Sequence, residues 1–303
     1  MDRTKTLACL TAALLVLGVG CARRPRLVVG SKNFTEQVLL GEILAQQIER
    51  RLHVTVERRL NLGGTLLAHE ALVQGSLDLY PEYTGTALTA VLKQPPAHDA
   101  AAVLDRVRTA YRRNWKLDWL APLGFNNTFA MMVSGEAARK DRLSSLTQAA
   151  GLRAWRLGVG YEFQSRADGL DGLRRAYGLR LEGAPVAMDL GLLYPALRSG
   201  KVEMIAANST DGLAAVFDIR VLADDRQYFP PYQCAAVARE DALTRFPGLR
   251  AALLELSGGI SDETMRKLNY EVDGKHRPVA QVAAEFLGNL PGGLGGAGRS
   301  PAQ

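Results

Sequence analysis

The chain has 303 residues, 47% of them hydrophobic and 22% charged; that is enough apolar mass for one large or two ordinary globular domains and too much for a disordered chain. Its 37 Lys and Arg against 31 Asp and Glu give a formal charge of +6, yet no run of basic residues forms the stripe that a nucleic acid or an anionic membrane would need. Three cysteines and four histidines, widely scattered, exclude a disulfide framework and a Cys/His zinc site.

Arg3 and Lys5 precede an apolar run over 7–19, which ends in small residues ahead of Cys21. A charged start, a short apolar middle and a small-residue end describe a secretory signal peptide over 1–20. The run is shorter than the roughly 20 residues a spanning helix requires. The same stretch resembles a bacterial lipoprotein signal, in which Cys21 becomes the first mature residue and carries lipid, although Leu17 stands four positions before the cysteine instead of three. That resemblance implies an anchor on the periplasmic or cell-surface side of a membrane, at roughly 0.8 kcal/mol per buried methylene. Cys9 then leaves with the leader, and Cys234 remains alone as a small buried hydrophobe.

From residue 26 the chain alternates. RLVVG at 26–30 reads as a short buried strand. Ser31, Asn33 and Thr35 offer caps before a helix over 37–51, where Val38, Leu39, Ile43, Leu44 and Ile48 recur at helical spacing. A β-branched strand at 54–60, the Gly63-Gly64-Thr65 turn, a helix to about 74, a strand at 77–80 and a helix over about 85–92 follow. After Pro95-Pro96 come a helix over 100–113, strands at 129–133 and 156–159, helices over 169–177 and 190–198, and a strand at 202–206. Ser209-Thr210-Asp211 is a cap group in which Asp211 reads as the helix cap. Helices over 243–256, 262–272 and 279–290 lead to a glycine-rich tail at 291–303 that reads as a frayed terminus. Strand and helix alternating through short loops predict an α/β class with a parallel sheet covered on both faces. The number of units predicts two lobes joined by close-set strands, with a ligand cleft between them at the strands' carboxyl ends.

Enzyme signatures are not found. Neither Gly200-Lys201-Val202 nor Gly274-Lys275-His276 completes a Walker A loop, and His69-Glu70 has Val73 where a zincin needs its second histidine. No serine sits in a Gly-x-Ser-x-Gly elbow. The glycines at 293–298 match the dinucleotide pattern literally but lack the strand and helix that would give it meaning. No catalytic residue, metal or cofactor is expected.

Three segments carry a resemblance: GSKNFTEQ at 30–37, NLGGT at 61–65 and DLYPEYTGT at 78–86. Further segments follow in order: GFNNTF at 124–129, Phe163 with Arg166 and Asp168-Gly169, DLGLLY at 189–194, STD at 209–211 and FPPY at 229–232. Over about 27–287 the chain resembles the osmoprotectant (glycine betaine, choline, carnitine) substrate-binding proteins of ABC importers. The resemblance implies a type II periplasmic-binding-protein fold with two interlobe crossovers near Asn127 and Tyr228. It places lobe 1 at 21–127 plus 229–290 and lobe 2 at 128–228. It also implies a small zwitterion as ligand, a permease and a separate ATPase as partners, and no nucleic acid.

A quaternary ammonium cannot donate a conventional hydrogen bond, so proteins surround it with aromatic faces, each worth roughly 0.5 to 2 kcal/mol when desolvated. A carboxylate needs cationic or amide donors. By resemblance, Tyr83, Phe129 and Tyr232 supply cage walls, Lys32, Thr86 and Arg166 supply polar contacts, and Asn127 stands beside the cation. Tyr80 and Tyr194 are secondary candidates. Asn208 stands where many relatives have a tyrosine, and Phe129 replaces a common tyrosine. That thinner cage would suit a larger trimethylammonium compound or an amino-acid derivative, or a lobe that senses solute instead of importing it. Lys32 as a solvated charge, the aromatics as ordinary packing and Arg166 as a surface ion pair with Asp168 are the plainer alternatives.

Overall fold

The structure is a computed structural model that describes residues 26–290. The expected leader, Cys21 and the glycine-rich tail lie outside the described residues. Two five-stranded sheets organise the chain. The first is built from β1 (Leu27–Gly30), β2 (Val56–Arg59), β3 (Leu79–Tyr83), β4 (Leu117–Trp119) and the late strand β10 (Cys234–Arg239), in the order β2-β1-β3-β10-β4. The second holds β5 (Phe129–Ser134), β6 (Leu157–Val159), β7 (Val186–Ala187), β8 (Met204–Asn208) and β9 (Ile219–Val221), in the order β7-β6-β8-β5-β9.

Both sheets are mixed, which corrects the expectation of a parallel sheet. β1 runs parallel to β2 and β3, whereas β10 runs antiparallel to β3 and β4. Likewise β6 is parallel to β7 and β8, and β5 is antiparallel to β8 and β9. The reversed strands, β5 and β10, are those the chain enters directly from the other sheet, so they lack the helical crossover that a parallel neighbour requires. The two connections pass side by side. Asn126 bridges Gln233, the Asn127 N–H donates to the Tyr232 carbonyl at 3.1 Å, and the Tyr232 N–H donates to Asn126 Oδ1 at 2.6 Å.

Local chemistry explains where elements begin and stop. The helix Thr35–Leu52 buries Leu39, Leu40, Ile43, Leu44 and Ile48 and ends at His53, which adopts the left-handed conformation. The helix Val279–Gly288 packs across it through Val282, Ala283 and Leu287. The expected helix over 243–256 is two helices, Glu240–Arg245 and Leu249–Leu254. Pro247 offers no N–H and pushes Phe246 out of the helical region, and Gly248 takes φ +89°. β3 runs on to Tyr83, past the expected end at 80, because Cys234 to Ala238 of β10 pair along it. Pro81 is tolerated there because β1 meets β3 only at Leu79, leaving Pro81 no second strand to donate to. The following helix is a single α-turn, Thr84–Thr86, that widens into a π-segment, Ala87–Val91. Cys234 is buried in β10, as expected of a lone apolar cysteine.

Candidate functional site

A cavity of about 550 Å³ lies between the two sheets, and both lobes line it. The first contributes Lys32, Phe34, Glu36 and Tyr83; the second contributes Phe129, Glu162, Arg166, Tyr194, Asn208 and Asp211.

Lys32 follows β1 and is only 3% exposed, so it is no solvated charge. Its ammonium lies 2.5 Å from Glu82 Oε1 and 3.5 Å from the Thr65 hydroxyl, and sits 4.7 Å from the Tyr83 ring centroid. The Arg166 side chain is largely covered too, 7% exposed. Its guanidinium forks onto Asp168, with Nε to Oδ1 at 2.9 Å and Nη2 to Oδ2 at 2.5 Å, and Nη1 donates to the Thr86 hydroxyl at 3.0 Å. The fully buried Asp168 also accepts from the Tyr232 hydroxyl at 2.5 Å and the Thr89 hydroxyl at 2.9 Å. Burial opposes ionisation of Asp168, but the Arg166 fork and these hydroxyls hold its carboxyl below the usual range. The pair is thus an interlobe anchor, not the surface ion pair of the plainer alternative.

The aromatic rings are gathered, and several already face a protein cation. Phe129 meets Phe163 edge-on at 4.8 Å and Tyr232 at 5.7 Å. Arg166 lies 5.1 Å from the Phe129 centroid and 5.7 Å from that of Tyr232. The faces that resemblance assigned to a ligand cation are therefore partly covered by Arg166 and Lys32.

Glu36, in the first turn of the helix Thr35–Leu52, is a second centre. Oε1 accepts from the Tyr83 hydroxyl at 2.6 Å and from Asn127 Nδ2 at 2.7 Å; Oε2 accepts from the Thr210 hydroxyl at 2.5 Å and from Asn269 Nδ2 at 2.9 Å. Desolvation still raises its carboxyl above the ordinary value against these four donors. Asp211 lies beside it in the lining. Its carboxylate accepts from the Tyr194 hydroxyl at 2.9 Å and the Asn208 N–H at 3.2 Å, so it does not cap the turn Gly212–Ala215 that follows, contrary to expectation. Burial pushes it up to about 7, with Glu36 and Asp273 adding to the effect. Burial raises Asp273 as well, opposed by the hydroxyl of Thr35.

All eight expected ligand contacts (Lys32, Tyr83, Thr86, Asn127, Phe129, Arg166, Asn208 and Tyr232) line this one cavity. Asn208 ends β8 directly opposite Phe129 on β5. The sequence reading missed Glu36, Glu162, Phe34 and Asp273. Glu36 and Phe34 were visible inside GSKNFTEQ, but an acid in a helix's first turn has a sufficient explanation in the helix dipole. Among the described residues no group of acids, histidines and cysteines is arranged to hold a metal, and no helix is long and apolar enough to cross a membrane.

Two α/β lobes, paired connections and a cavity enclosed by both define a two-lobed solute-binding protein of the periplasmic-binding type. Residues 25–289 match the substrate-binding domain of the ABC-type glycine betaine transport system, and the chain belongs to that family. It is 35% identical over 305 residues to a glycine-betaine-binding protein of Pseudomonas aeruginosa, covering 95% of this chain and 94% of that one. It is 33% identical over 283 residues to an ergothioneine transport permease/ergothioneine binding protein of Helicobacter pylori, covering 93% of this chain but only 50% of that longer protein. A crystal structure described as a glycine betaine/carnitine/choline ABC transporter superposes with a TM-score of 0.73 at 34% identity, over 86% of this chain and 97% of that one.

Proposed function

We propose that the protein captures a quaternary-ammonium solute of the betaine type between its lobes, outside the cytoplasm, and delivers it to an ABC permease driven by a separate ATPase. The observation that carries this reading is the cavity itself, in which the buried Glu36 and the half-buried Asp211 and Asp273 share a lining with the rings of Phe34, Tyr83 and Tyr194. The acids attract a cation, and because the Glu36 oxygens already accept from four donors, the ring faces are left to bind one that brings no hydrogen-bond donors of its own. Contacts to both lobes mean that solute binding favours the closed form. Acyl chains on Cys21 hold the protein at the membrane; replacing Cys21 by Ser is expected to release it into the soluble fraction. A larger betaine derived from an amino acid is a second reading. It is supported by a volume of about 550 Å³, within the range of about 300–1,000 Å³ typical of drug-sized ligands, by the polar Asn208 wall, and by the Helicobacter pylori relative named for ergothioneine. A calorimetric screen of glycine betaine, choline, carnitine, trimethylated amino acids and ergothioneine tests both readings. Failure of every compound with a cooperatively folded protein refutes them.

A further inference from the structure

Glu162 stands on the short helix Tyr161–Ser165 of the second lobe and reaches across the cleft into the first. Its carboxylate accepts from the Thr65 main-chain N–H at 2.5 Å and from the Thr65 hydroxyl at 3.0 Å. Thr65 opens the helix Thr65–Val73, where no side chain of the first lobe caps the end. Arg166 lies 3.8 Å away. Desolvation works against the carboxylate, but the Lys32 ammonium, the Thr65 N–H and Arg166 outweigh it and hold the group below the usual carboxylate range. Gly64 makes the room: a Cβ there would lie 2.5 Å from Glu162 Oε1.

A helix-start N–H and a hydroxyl at hydrogen-bond distance, an arginine 3.8 Å away and the charge of a lysine paired nearby with Glu82 form, in a solute cavity, the donor set that a solute's carboxylate would seek. The protein fills it with a carboxylate of its own, carried by the opposite lobe. We propose that Glu162, whose side chain is 43% exposed in the cleft, is a specificity-determining residue: a carboxylate of the protein's own that holds the place a solute's carboxylate would take. The protein thereby discriminates against solutes with a carboxylate at that position and leaves those without one unaffected. A solute carboxylate must displace Glu162 or lie beside a like charge, whereas an uncharged hydroxyl meets no such penalty. The assignment rests on the quaternary-ammonium reading for its solutes, but not for its anion site.

Two matched solutes and one bare anion test it on the whole protein. Calorimetry with glycine betaine and choline would compare wild type with Glu162→Ala and with Glu162→Gln, which keeps an acceptor for Thr65 and guards against loss of the fold. The ratio of betaine to choline affinity is expected to rise about ten-fold in Glu162→Ala, the size of one charge-assisted contact, and less in Glu162→Gln. Acetate, against chloride at equal ionic strength, is expected to raise the melting temperature of Glu162→Ala and leave wild type unmoved. A ratio unchanged in both variants overturns the assignment, and so does an acetate effect equal in wild type and Glu162→Ala. If no form binds either solute, the function proposed above fails, and the acetate comparison alone decides for or against Glu162.

Discussion

Replacing Asp211 by Asn should make the protein more stable and a poorer binder. The amide oxygen can still accept from the Tyr194 hydroxyl and the Asn208 N–H, so what the variant loses is the charge. In the folded protein burial pushes Asp211 from 3.8 up to about 7. The folded protein therefore keeps a proton there that the unfolded chain releases between about pH 4 and 7, and wild-type stability falls across that window as pH rises. At about 1.4 kcal/mol for each tenfold in proton affinity, the ceiling is about 4 kcal/mol. Asp211 keeps a partly open face toward the cavity, where water screens its charge, so a gain of about 2 kcal/mol is expected at pH 8. It should shrink to less than half of that at pH 5. Urea unfolding of the unliganded variant and wild type at both values provides the assay. A stability difference independent of pH would refute the reasoning, because it would show that Asp211 is not held protonated by its surroundings. Solute affinity at pH 8 should fall in the same variant, a trade of function for stability.

Three further outcomes follow from the same geometry. Tyr83→Ala removes a ring face and one donor to Glu36, and should weaken solute binding by roughly 0.5 to 2 kcal/mol, up to about thirty-fold; normal affinity by calorimetry would mean the solute sits elsewhere. Asp168→Ala leaves Arg166 buried without its fork and should cost about 3–5 kcal/mol, read as a lowered urea midpoint; an unchanged midpoint would show the interlobe anchor to be dispensable. Asn208→Tyr adds an aromatic wall and should tighten glycine betaine by roughly 0.5 to 2 kcal/mol while weakening larger betaines; parallel changes for both would exclude Asn208 from the setting of ligand size.

Much of the architecture was legible because its signals are local. The helical spacing of Leu39, Leu40, Ile43 and Leu44 marks the helix that organises the first lobe, although its N-cap is Phe34, with no side-chain cap, and not the expected Ser31, Asn33 or Thr35. Strand polarity was not legible, because β5 and β10 owe their direction to connections between lobes. β10, with the sequence CAAVAR, carries one β-branched residue, and its small side chains suit a strand buried in mid-sheet between β3 and β4. The motif-bearing segments pointed to residues that do share one cavity. The contacts of Lys32 with Glu82 and of Thr65 with Glu162 were not visible, since those residues lie 50 and 97 positions apart in the chain; the Arg166–Asp168 pair, two residues apart, was legible, and only its burial was not. Asp211 read as a cap because Ser-Thr-Asp before a turn is a local pattern. Its real partner, Tyr194, lies 17 residues upstream.

The carboxylate of Glu36 has a consequence for how this chain can vary. Its four donors come from four separate stretches: Tyr83 at the end of β3, Asn127 in a connection, Thr210 after β8 and Asn269 in the helix Asp262–Asp273. Losing any donor leaves a buried oxygen short of a partner, and losing Glu36 strands four at once. Substitutions at these five positions should be strongly non-additive. A lineage can change them only in concert, so they should drift as one inherited unit while the walls around the cavity diversify.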